Sequence, residues 1–247
     1  MNGPISSSAR TMADRGLKVG GYAKFTSTDY PGELAAVVFV QGCPWRCGYC
    51  HNPHLQPRDG KPAIAWRDLL AFLCSRAGLL DAVVFSGGEP TLDPALEDAM
   101  RSVRAQGFKV GLHTAGIYPE RLKQVLPLVD WVGLDIKSSF EAYDEITGAS
   151  GSAQAARAAA RIVIESGVPY EFRTTIHPKI TTRQHISTLV QQISEMGCET
   201  YALQDFRPVG CSTQDLLKLS SEGALDGELI GQVRSRFRQF TLRRSDG

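Results

Sequence analysis

The sequence predicts an α/β fold: a partial, TIM-like barrel of six strand–helix units that is open on one side. From residue 34 onward, short apolar segments rich in β-branched residues alternate with amphipathic segments, which is typical of parallel strands joined by helices. The chain has 247 residues, of which 43% are hydrophobic, so it can bury one large core. Successive units wind with the same hand, and we therefore expect all strand carboxyl ends at one face.

Two segments precede this regular pattern. Residues 1–18 are polar and lack periodicity, which predicts a disordered or tag-like lead ahead of a single domain over residues 19–247. Residues 20–28 predict a short strand or arm before the Pro31-Gly32 turn. Six strands are then predicted, over residues 35–40, 82–86, 109–113, 131–136, 171–176 and 201–204.

Helix start and stop signals lie between these strands. Asp93, followed by a proline, predicts an N-cap, and the glycine after Gln106 predicts the end of that helix. An alanine-rich helix opens at Ser152 and another at Thr182, each ending before a glycine. Residues 66–76 and 120–126 predict two further helices. The closing segment, residues 233–244, interleaves arginine with aromatic residues and predicts an amphipathic element that packs its rings, with a partner-docking surface as the alternative.

Charge and hydropathy give no sign of a nucleic-acid or membrane partner. Lysine and arginine number 27 against 26 acidic residues, so the formal net charge is +1 and no global field favours nucleic acid or anionic lipid. No apolar run approaches the roughly 18–20 residues that a membrane-spanning helix requires. The N-terminus lacks an apolar signal core. We therefore expect a cytoplasmic protein whose thiols are reduced.

Three of the six cysteines, Cys43, Cys47 and Cys50, stand within eight residues just after the strand at 35–40. Three thiolates from one loop indicate a soft-metal site, and a four-iron cluster held by three of them would leave one iron without a protein ligand. A zinc site is the alternative, with His51 and His54 nearby, although the second cysteine pair of most zinc sites is missing. Disulfides at this spacing would constrain little.

The other three cysteines are scattered, and we assign none of them to the cluster. Cys74 lies in an apolar helical pattern and is predicted to be a small core residue. Cys198 follows a helix stop, and Cys211 lies in a loop after the last predicted strand.

A glycine-rich segment, Ser86-Gly87-Gly88-Glu89-Pro90, follows the second predicted strand and precedes a helix. Paired glycines let the backbone approach a ligand closely, because no Cβ stands in the way. The alternative is an ordinary strand–helix turn with a surface glutamate.

Charged residues at later strand ends form a second candidate group. Asp135 and Lys137 stand two apart, so the strand period points both side chains to one side. A rim salt bridge is the alternative. Arg173 lies inside an apolar strand, where a charge needs a partner. The residues 113–116 and 204–207 also fall at strand ends, so these segments should converge in space.

The cysteine loop resembles that of the radical S-adenosylmethionine (radical SAM) enzymes, whose hallmark is C-x3-C-x-aromatic-C, here with Tyr49 as the aromatic residue. The run Tyr49-Cys50-His51-Asn52-Pro53, with Asp29-Tyr30-Pro31-Gly32 upstream, is similar more narrowly to the activating enzymes of glycyl-radical enzymes, and most similar to those of the anaerobic ribonucleotide reductase. This resemblance covers residues 20–210 and implies a barrel of the radical SAM type.

The resemblance also implies two cofactors, a 4Fe-4S cluster on the three clustered cysteines and S-adenosylmethionine. In such enzymes a Gly-Gly-Glu-Pro segment receives the methionine amino group, an Asp-x-Lys pair meets the ribose hydroxyls and the carboxylate, and the aromatic residue of the cysteine loop lies against the adenine. The contacts implied here are Tyr49 and His51 for adenine, Gly87 and Gly88 with Glu89 in support for the amino group, Asp135 for ribose, and Lys137 and Arg173 for the carboxylate. For Tyr49 and His51 the alternative is simple packing beside the cluster.

The implied reaction is reductive cleavage of S-adenosylmethionine to methionine and a 5′-deoxyadenosyl radical, which takes a hydrogen from a glycine of a partner enzyme. The implied partner is the anaerobic ribonucleoside-triphosphate reductase, with a low-potential electron donor such as flavodoxin or ferredoxin. Three alternatives remain: a pyruvate formate-lyase-type activating enzyme, a small-molecule radical enzyme like carboxy-deazaguanine synthase, and a non-catalytic structural metal-binding module.

The sequence departs from the activating enzymes at two positions. His113 replaces an aspartate that helps to hold a monovalent cation in some pyruvate formate-lyase activating enzymes, which leaves such a cation open here. Phe206 replaces a cofactor-contacting histidine, so that contact is either missing or made by another residue, such as Gln204 or Arg207. His177, in the loop after the fifth predicted strand, is expected to be solvated or to cap a turn.

Overall fold

The computed structural model describes residues 16–218 and 225–244, and in this part of the chain a single sheet of eight strands follows the sequence order. β1 pairs antiparallel with β2, and every later neighbouring pair is parallel. The sheet does not close, so β1 and β8 form its two edges. The strands are β1 Val19–Thr26, β2 Ala35–Val40, β3 Ala82–Gly87, β4 Lys109–Thr114, β5 Trp131–Asp135, β6 Tyr170–Ile176, β7 Thr200–Asp205 and β8 Gln239–Arg243.

Helices connect the parallel strands, as the alternating pattern predicts. They are α1 Trp66–Cys74, α2 Leu96–Ala105, α3 Pro119–Val125, α4 Tyr143–Thr147, α5 Ser152–Ser166, α6 Arg183–Glu195, α7 Gln214–Leu217 and α8 Gly227–Arg234. The predicted open α/β barrel is therefore confirmed. Thr182 is the N-cap of α6, and its hydroxyl accepts the N–H of His185.

β8 is the strand that the sequence analysis missed. The closing segment contains the end of α8 and then a strand parallel to β7. Phe237 is buried and Phe240 packs against the core, as expected for an element that packs its rings. A strand of five residues with several arginines carries little apolar signal, and its pairing with β7 decides its conformation.

The core of the described residues has three clusters, of which the smallest, with Tyr49, Ile180, Phe206, Cys211 and Leu216, lies beside the cysteine loop. The main cluster fills the space between the outer face of the sheet and the helices. A smaller cluster lies inside the barrel and contains Tyr30, Ala35, Val37, Ala82, Val84 and Trp131. Because β2 and β3 contribute the first half of their length to this inner cluster, apolar side chains fill the amino-terminal end of the barrel and the carboxyl end stays open.

Two local predictions change in the structure. Asp93 does not cap α2, because a 3₁₀ turn over Pro90–Leu92 precedes it; its carboxylate instead accepts the N–H groups of Lys18 and Ala95. Cys74 is exposed and not a core residue, since it lies on the solvent side at the end of α1. Cys198 and Cys211 are buried, and all six cysteines are free.

The predicted lead, residues 1–18, lies mostly outside the described residues. Of its last residues, Leu17 is buried and Lys18 makes the contact with Asp93. Within the described ranges, no helix has the length and apolar character that crossing a bilayer requires.

Candidate active site

A cavity of about 400 Å³ opens at the carboxyl ends of the strands, and the predicted site residues meet there. The cysteine loop supplies one wall, the glycine-rich segment another, and the charged residues of β5 and β6 a third. All the predicted residues line it except Glu89: Cys43, Cys47, Tyr49, Cys50, His51, Gly87, Gly88, Asp135, Lys137 and Arg173.

Hydrogen bonds from the backbone and from one arginine hold the cysteine loop in place. After β2, the N–H groups of Gly42 and Cys43 donate to the carbonyls of Leu55 and Gln56 at 2.7 and 3.0 Å. The guanidinium of Arg46 donates to the carbonyls of Cys43 and Trp45 at 2.6 and 2.9 Å. These bonds keep the loop curled around its three thiols.

The three thiols are half-buried and face the cavity, which suits a soft, thiolate-bound cluster. Burial, together with the carboxylate of Glu89, raises the pKa of Cys43 to about 12. Iron loading must therefore displace protons from these thiols. In the described residues, no three His, Cys, Asp or Glu side chains are grouped to hold a single metal ion. The chemistry of the donors, three thiols on one loop, is that of an iron–sulfur cluster site.

Both glycines of the glycine-rich segment are required by the structure. A Cβ on Gly88 would lie 2.3 Å from the carbonyl oxygen of Gly42, and Gly87 has a φ of +113° with the backbone of Val40 just as close. The segment thus packs directly on the end of β2 and the start of the cysteine loop. The sequence suggested that the paired glycines let a ligand approach the backbone; in the structure they also let the glycine-rich segment approach the cysteine loop.

Glu89 is fully buried behind the cavity wall, so it is not the surface glutamate of the alternative interpretation. Its carboxylate accepts hydrogen bonds from the hydroxyl and N–H of Thr91, the hydroxyl of Thr114 and the N–H of Ala115, at 2.6 to 3.0 Å. Burial raises the pKa of Glu89, although these hydrogen bonds act to lower it. Glu89 therefore ties the glycine-rich segment to the end of β4 and supports the site indirectly.

Asp135 is the centre of the charged wall. Its carboxylate lies 3.2 Å from Nζ of Lys137 and 3.0 Å from the guanidinium of Arg173, so the predicted partner of Arg173 is found. Burial alone would raise the pKa of Asp135, but the two cations hold it well below its usual range. Burial opposes the charge of Lys137 too, and Asp135 keeps its pKa well above the usual value. All three groups are therefore charged, with one net positive charge left to meet an anion.

His113 lies beneath this cluster and is neutral. Nε2–H donates to the carbonyl of Asp29 at 2.7 Å, and the guanidinium of Arg173 lies 3.3 Å from the same nitrogen. Burial, followed by the charge of Arg173, lowers the pKa of His113 to about 3. At the position where some relatives carry an aspartate, this chain therefore presents a neutral ring beside a fixed cation.

Neighbouring aromatic rings position His51. Phe206 is buried and stacks on His51 at 5.5 Å, and His177 meets the edge of Phe206 at 5.1 Å. His177 is fully buried and not solvated, but it does cap a turn, since Nδ1 accepts the N–H of Lys179. Burial, followed by the charge of Lys137, lowers the pKa of His51, and among the described residues its Nε2 has no hydrogen-bond partner. The ring of His51 thus lies in the cavity wall with its position set by Phe206.

The sequence analysis missed several residues of this site. Glu171 and Arg243 form a two-bonded ion pair in the cavity wall at 2.8 and 3.0 Å, and Trp45 lines the cavity between two of the cysteines. Tyr143 lies just behind the wall and bonds to the backbone of Lys137. Glu171 stands two residues before Arg173 on β6, so the alternation of side chains along the strand could have indicated that both face the cavity. No local pattern in the sequence indicates Arg243 or Tyr143.

Sequence comparison identifies the family to which the chain belongs. Residues 37–190, which contain the cysteine loop, the glycine-rich segment and the charged wall, match the Radical SAM superfamily. The chain belongs to the radical SAM superfamily. Enzymes of this superfamily use a 4Fe-4S cluster and S-adenosylmethionine, so the protein is a radical SAM enzyme with these cofactors.

Two relatives with similar sequences indicate which group of the superfamily this chain belongs to. The chain is 28% identical over 228 residues to a Methanocaldococcus jannaschii protein named as a glycyl-radical enzyme activating enzyme, covering 89% of this chain and 92% of the relative. It is 32% identical over 201 residues to the pyruvate formate-lyase-activating enzyme of Clostridium pasteurianum, covering 77% and 82%. The radical SAM chain thus belongs with the glycyl-radical activating enzymes.

The fold is shared more widely than the sequence. The crystal structure of SuiB from Streptococcus suis bound to S-adenosylmethionine superposes with a TM-score of 0.62 at 15% identity. The alignment covers 83% of this chain and 48% of that one, so the chain spans about half the length of SuiB. This likeness shows the radical SAM barrel itself.

Proposed function

We propose that this radical SAM enzyme generates a glycyl radical on the anaerobic ribonucleoside-triphosphate reductase. The observation that carries the proposal is one cavity in which three free thiols face a charged wall, at the mouth of a barrel that does not close. Relatives named as activating enzymes support the type of partner. The choice of the reductase rests on the resemblance of residues 29–32 and 49–53 that the sequence suggested.

The proposed roles of the residues follow from where they lie. When bound, the reduced cluster and S-adenosylmethionine supply a 5′-deoxyadenosyl radical and methionine. Cys43, Cys47 and Cys50 would hold the cluster. Lys137 and Arg173 would attract the methionine carboxylate, since together with Asp135 they leave one net positive charge in the wall.

Hydrogen-bonding groups on the other walls complete the proposed cofactor site. Carbonyls of the Gly87-Gly88 segment would accept the methionine amino group, and Asp135 keeps about a third of its side chain exposed to accept from the ribose hydroxyls. Tyr49 and His51 would line the adenine. Fixed groups of this kind orient a cofactor and exclude water, and that is the contribution the protein makes to a radical reaction.

The open side of the barrel suits a polypeptide substrate. β1 and β8 are not paired with each other, so the sheet leaves a gap along the side of the cavity. A glycine-bearing segment of a partner could reach the cofactor through this gap. We further propose that a low-potential donor such as flavodoxin or ferredoxin reduces the cluster, and that the protein acts in the cytoplasm, where its six free cysteines would stay reduced.

Electron paramagnetic resonance tests the proposal. The iron-loaded protein, dithionite and S-adenosylmethionine are mixed without oxygen with the anaerobic reductase or with pyruvate formate-lyase. We expect a glycine-centred doublet on the reductase and none on the lyase. In the Cys47→Ala variant the doublet should vanish, whereas the exposed Cys74→Ala control should keep it.

The same experiment separates the alternatives. A doublet on pyruvate formate-lyase alone would replace the reductase with the partner of the C. pasteurianum relative. Release of 5′-deoxyadenosine without a doublet on either protein would favour a small-molecule substrate. Bound zinc with no cleavage would leave only the structural metal-binding module.

A further inference from the structure

Tyr143, the first residue of α4, lies between the two halves of the site. Its side chain is fully buried and does not reach the cavity. The hydroxyl accepts the N–H of Lys137 at 3.1 Å and donates to the carbonyl of Asp135 at 3.4 Å. One hydroxyl therefore bonds to both ends of the backbone segment that carries Asp135 and Lys137.

The ring of Tyr143 contacts the cysteine loop. It meets the edge of Trp45 at 5.9 Å with an interplanar angle of 73°, and Trp45 stands between Cys43 and Cys47. Phe140 packs on the same ring at 6.0 Å. The helix adds a second contact at its other end, where the carbonyl of Thr147 accepts the N–H of Arg46 at 2.8 Å.

The segment from Asp135 to Lys137 has few other constraints on this side. The strand ends at Asp135, and beyond it Ile136 is still held by Arg173 and Thr174. For the N–H of Lys137, the bond to Tyr143 is the one that the described residues supply. The backbone of Lys137 therefore takes its position from a residue that is itself packed on the cysteine loop.

We propose that Tyr143 is a positioning residue that sets the place of Lys137 and Asp135 relative to the cysteine loop, and hence of S-adenosylmethionine relative to the cluster. This inference rests on the cofactor site proposed above. A cofactor that touches both walls binds well only when the walls are correctly spaced, because misplaced groups lose their hydrogen bonds. Tyr143 itself touches neither cofactor nor substrate.

The test compares Tyr143→Phe with Tyr170→Phe in the iron-loaded protein. Tyr143→Phe keeps the ring against Trp45 and removes only the hydroxyl. Tyr170 is a matched control, because its hydroxyl also accepts a backbone N–H at 3.1 Å, that of Glu199, at the opposite end of the barrel. The measurements are the iron content, the dissociation constant for S-adenosylmethionine, and the resonance spectrum of the reduced cluster with and without it.

We expect Tyr143→Phe to load iron and to give the wild-type spectrum without S-adenosylmethionine. Its dissociation constant should rise about tenfold, if restoring the spacing of the walls on binding costs about as much as one net hydrogen bond. The spectral change on adding S-adenosylmethionine should also differ from that of the wild type. Tyr170→Phe should bind S-adenosylmethionine as the wild type does.

Two results would overturn the inference: unchanged binding and spectra in Tyr143→Phe, or equal losses in both variants. If Tyr143→Phe does not fold, Phe140→Leu loosens the same ring without replacing a residue that lines the cavity. A dissociation constant that stays within twofold of the wild type would then overturn the inference as well. If the wild-type protein does not bind S-adenosylmethionine, both the proposed cofactor site and this inference are wrong. A wild-type protein that binds it but forms no glycyl radical would remove only the proposed partner.

Discussion

At the scale of single residues, the site depends on groups that hold others in place. Gly133 has no side chain, and the guanidinium of Arg173 occupies the space that one would fill: a Cβ at Gly133 would lie 2.7 Å from Cζ and 2.8 Å from each terminal nitrogen. Glu89 and Tyr143 likewise bond to the backbone that carries the cavity residues. The chemistry of the wall therefore depends on residues with no reactive group facing the cavity.

Gly133→Ala should displace Arg173 from Asp135. We expect weaker binding of S-adenosylmethionine, by about tenfold if one charged contact is lost, and a destabilisation of about 1–3 kcal/mol from overpacking. Isothermal titration and urea unfolding measure the two effects. Gly231→Ala is the control, because a Cβ there meets nothing within 4 Å and the residue lies in a helix. Wild-type affinity in Gly133→Ala would show that Arg173 does not contribute to binding.

His113 predicts how stability changes with pH. Its pKa is about 3 in the folded protein and returns to its usual value near 6.5 on unfolding, so the unfolded chain binds the extra proton between these values. Stability should therefore fall as the pH is lowered from about 6.5 towards 3, by about 1–2 kcal/mol at pH 5 relative to pH 7.5. Half-buried His51, whose pKa is also lowered, acts in the same direction.

Urea unfolding at the two pH values checks this prediction. The His113→Gln variant should lose less stability between pH 7.5 and pH 5 than the wild type does, whereas the variant of the exposed His54, His54→Gln, should behave like the wild type. Equal pH dependence in all three proteins would contradict a neutral His113.

At the scale of elements, β8 does more than extend the sheet. Its last residue, Arg243, crosses to Glu171 of β6 and completes the cavity wall beside the open edge. Glu171 is 5% exposed, so it needs this partner. The closing segment therefore contributes a strand to the fold and a charge pair to the site.

Removing the side chain of Arg243 should leave Glu171 unpaired. We expect Arg243→Ala to destabilise the protein by about 1–3 kcal/mol, the cost of an unsatisfied buried group. Arg238→Ala is the matched control, because Arg238 pairs with Glu199 at the surface and such pairs contribute less than about 1 kcal/mol. Chemical unfolding at pH 7.5 distinguishes the variants, and equal effects would mean that the buried pair contributes no more than a surface one.

At the scale of the whole molecule, the cysteine loop is where distant parts of the chain meet. Gly88 packs on its start, and the helix α4 packs on Trp45. After β7, the carbonyl of Gly48 accepts the hydroxyl of Thr213, and Gly210 leaves no room for a Cβ against the carbonyl of His51. Anything that orders this loop should therefore stabilise most of the barrel.

Cofactor loading should raise the unfolding temperature in two steps. Iron loading should give the first increase. S-adenosylmethionine at 100 times its dissociation constant should add about 2.7 kcal/mol, because it binds only the folded state. Calorimetry without oxygen measures both increases. In Cys47→Ala, S-adenosylmethionine should give no second increase, and a full second increase there would separate its binding from the cluster.

Local patterns in the sequence determined much of this protein. Strand and helix periods predicted the open α/β barrel, and the spacing of Cys43, Cys47 and Cys50 predicted the cluster loop, because both signals arise from residues close together in the chain. Strand ends in a parallel barrel share one face, so the sequence also predicted that Gly88 and Asp135 would meet these cysteines.

Only the tertiary structure decided which groups support that site. The strand conformation of β8, the pairing of Arg243 with Glu171 and the contact of Tyr143 with Lys137 all join elements that are not adjacent in sequence. Cys74, assigned to the core by its helical pattern, is exposed, because α1 packs through Leu69 and Leu73 and turns Cys74 to the solvent side. Such contacts depend on how the elements pack, and packing is a property of the folded chain as a whole.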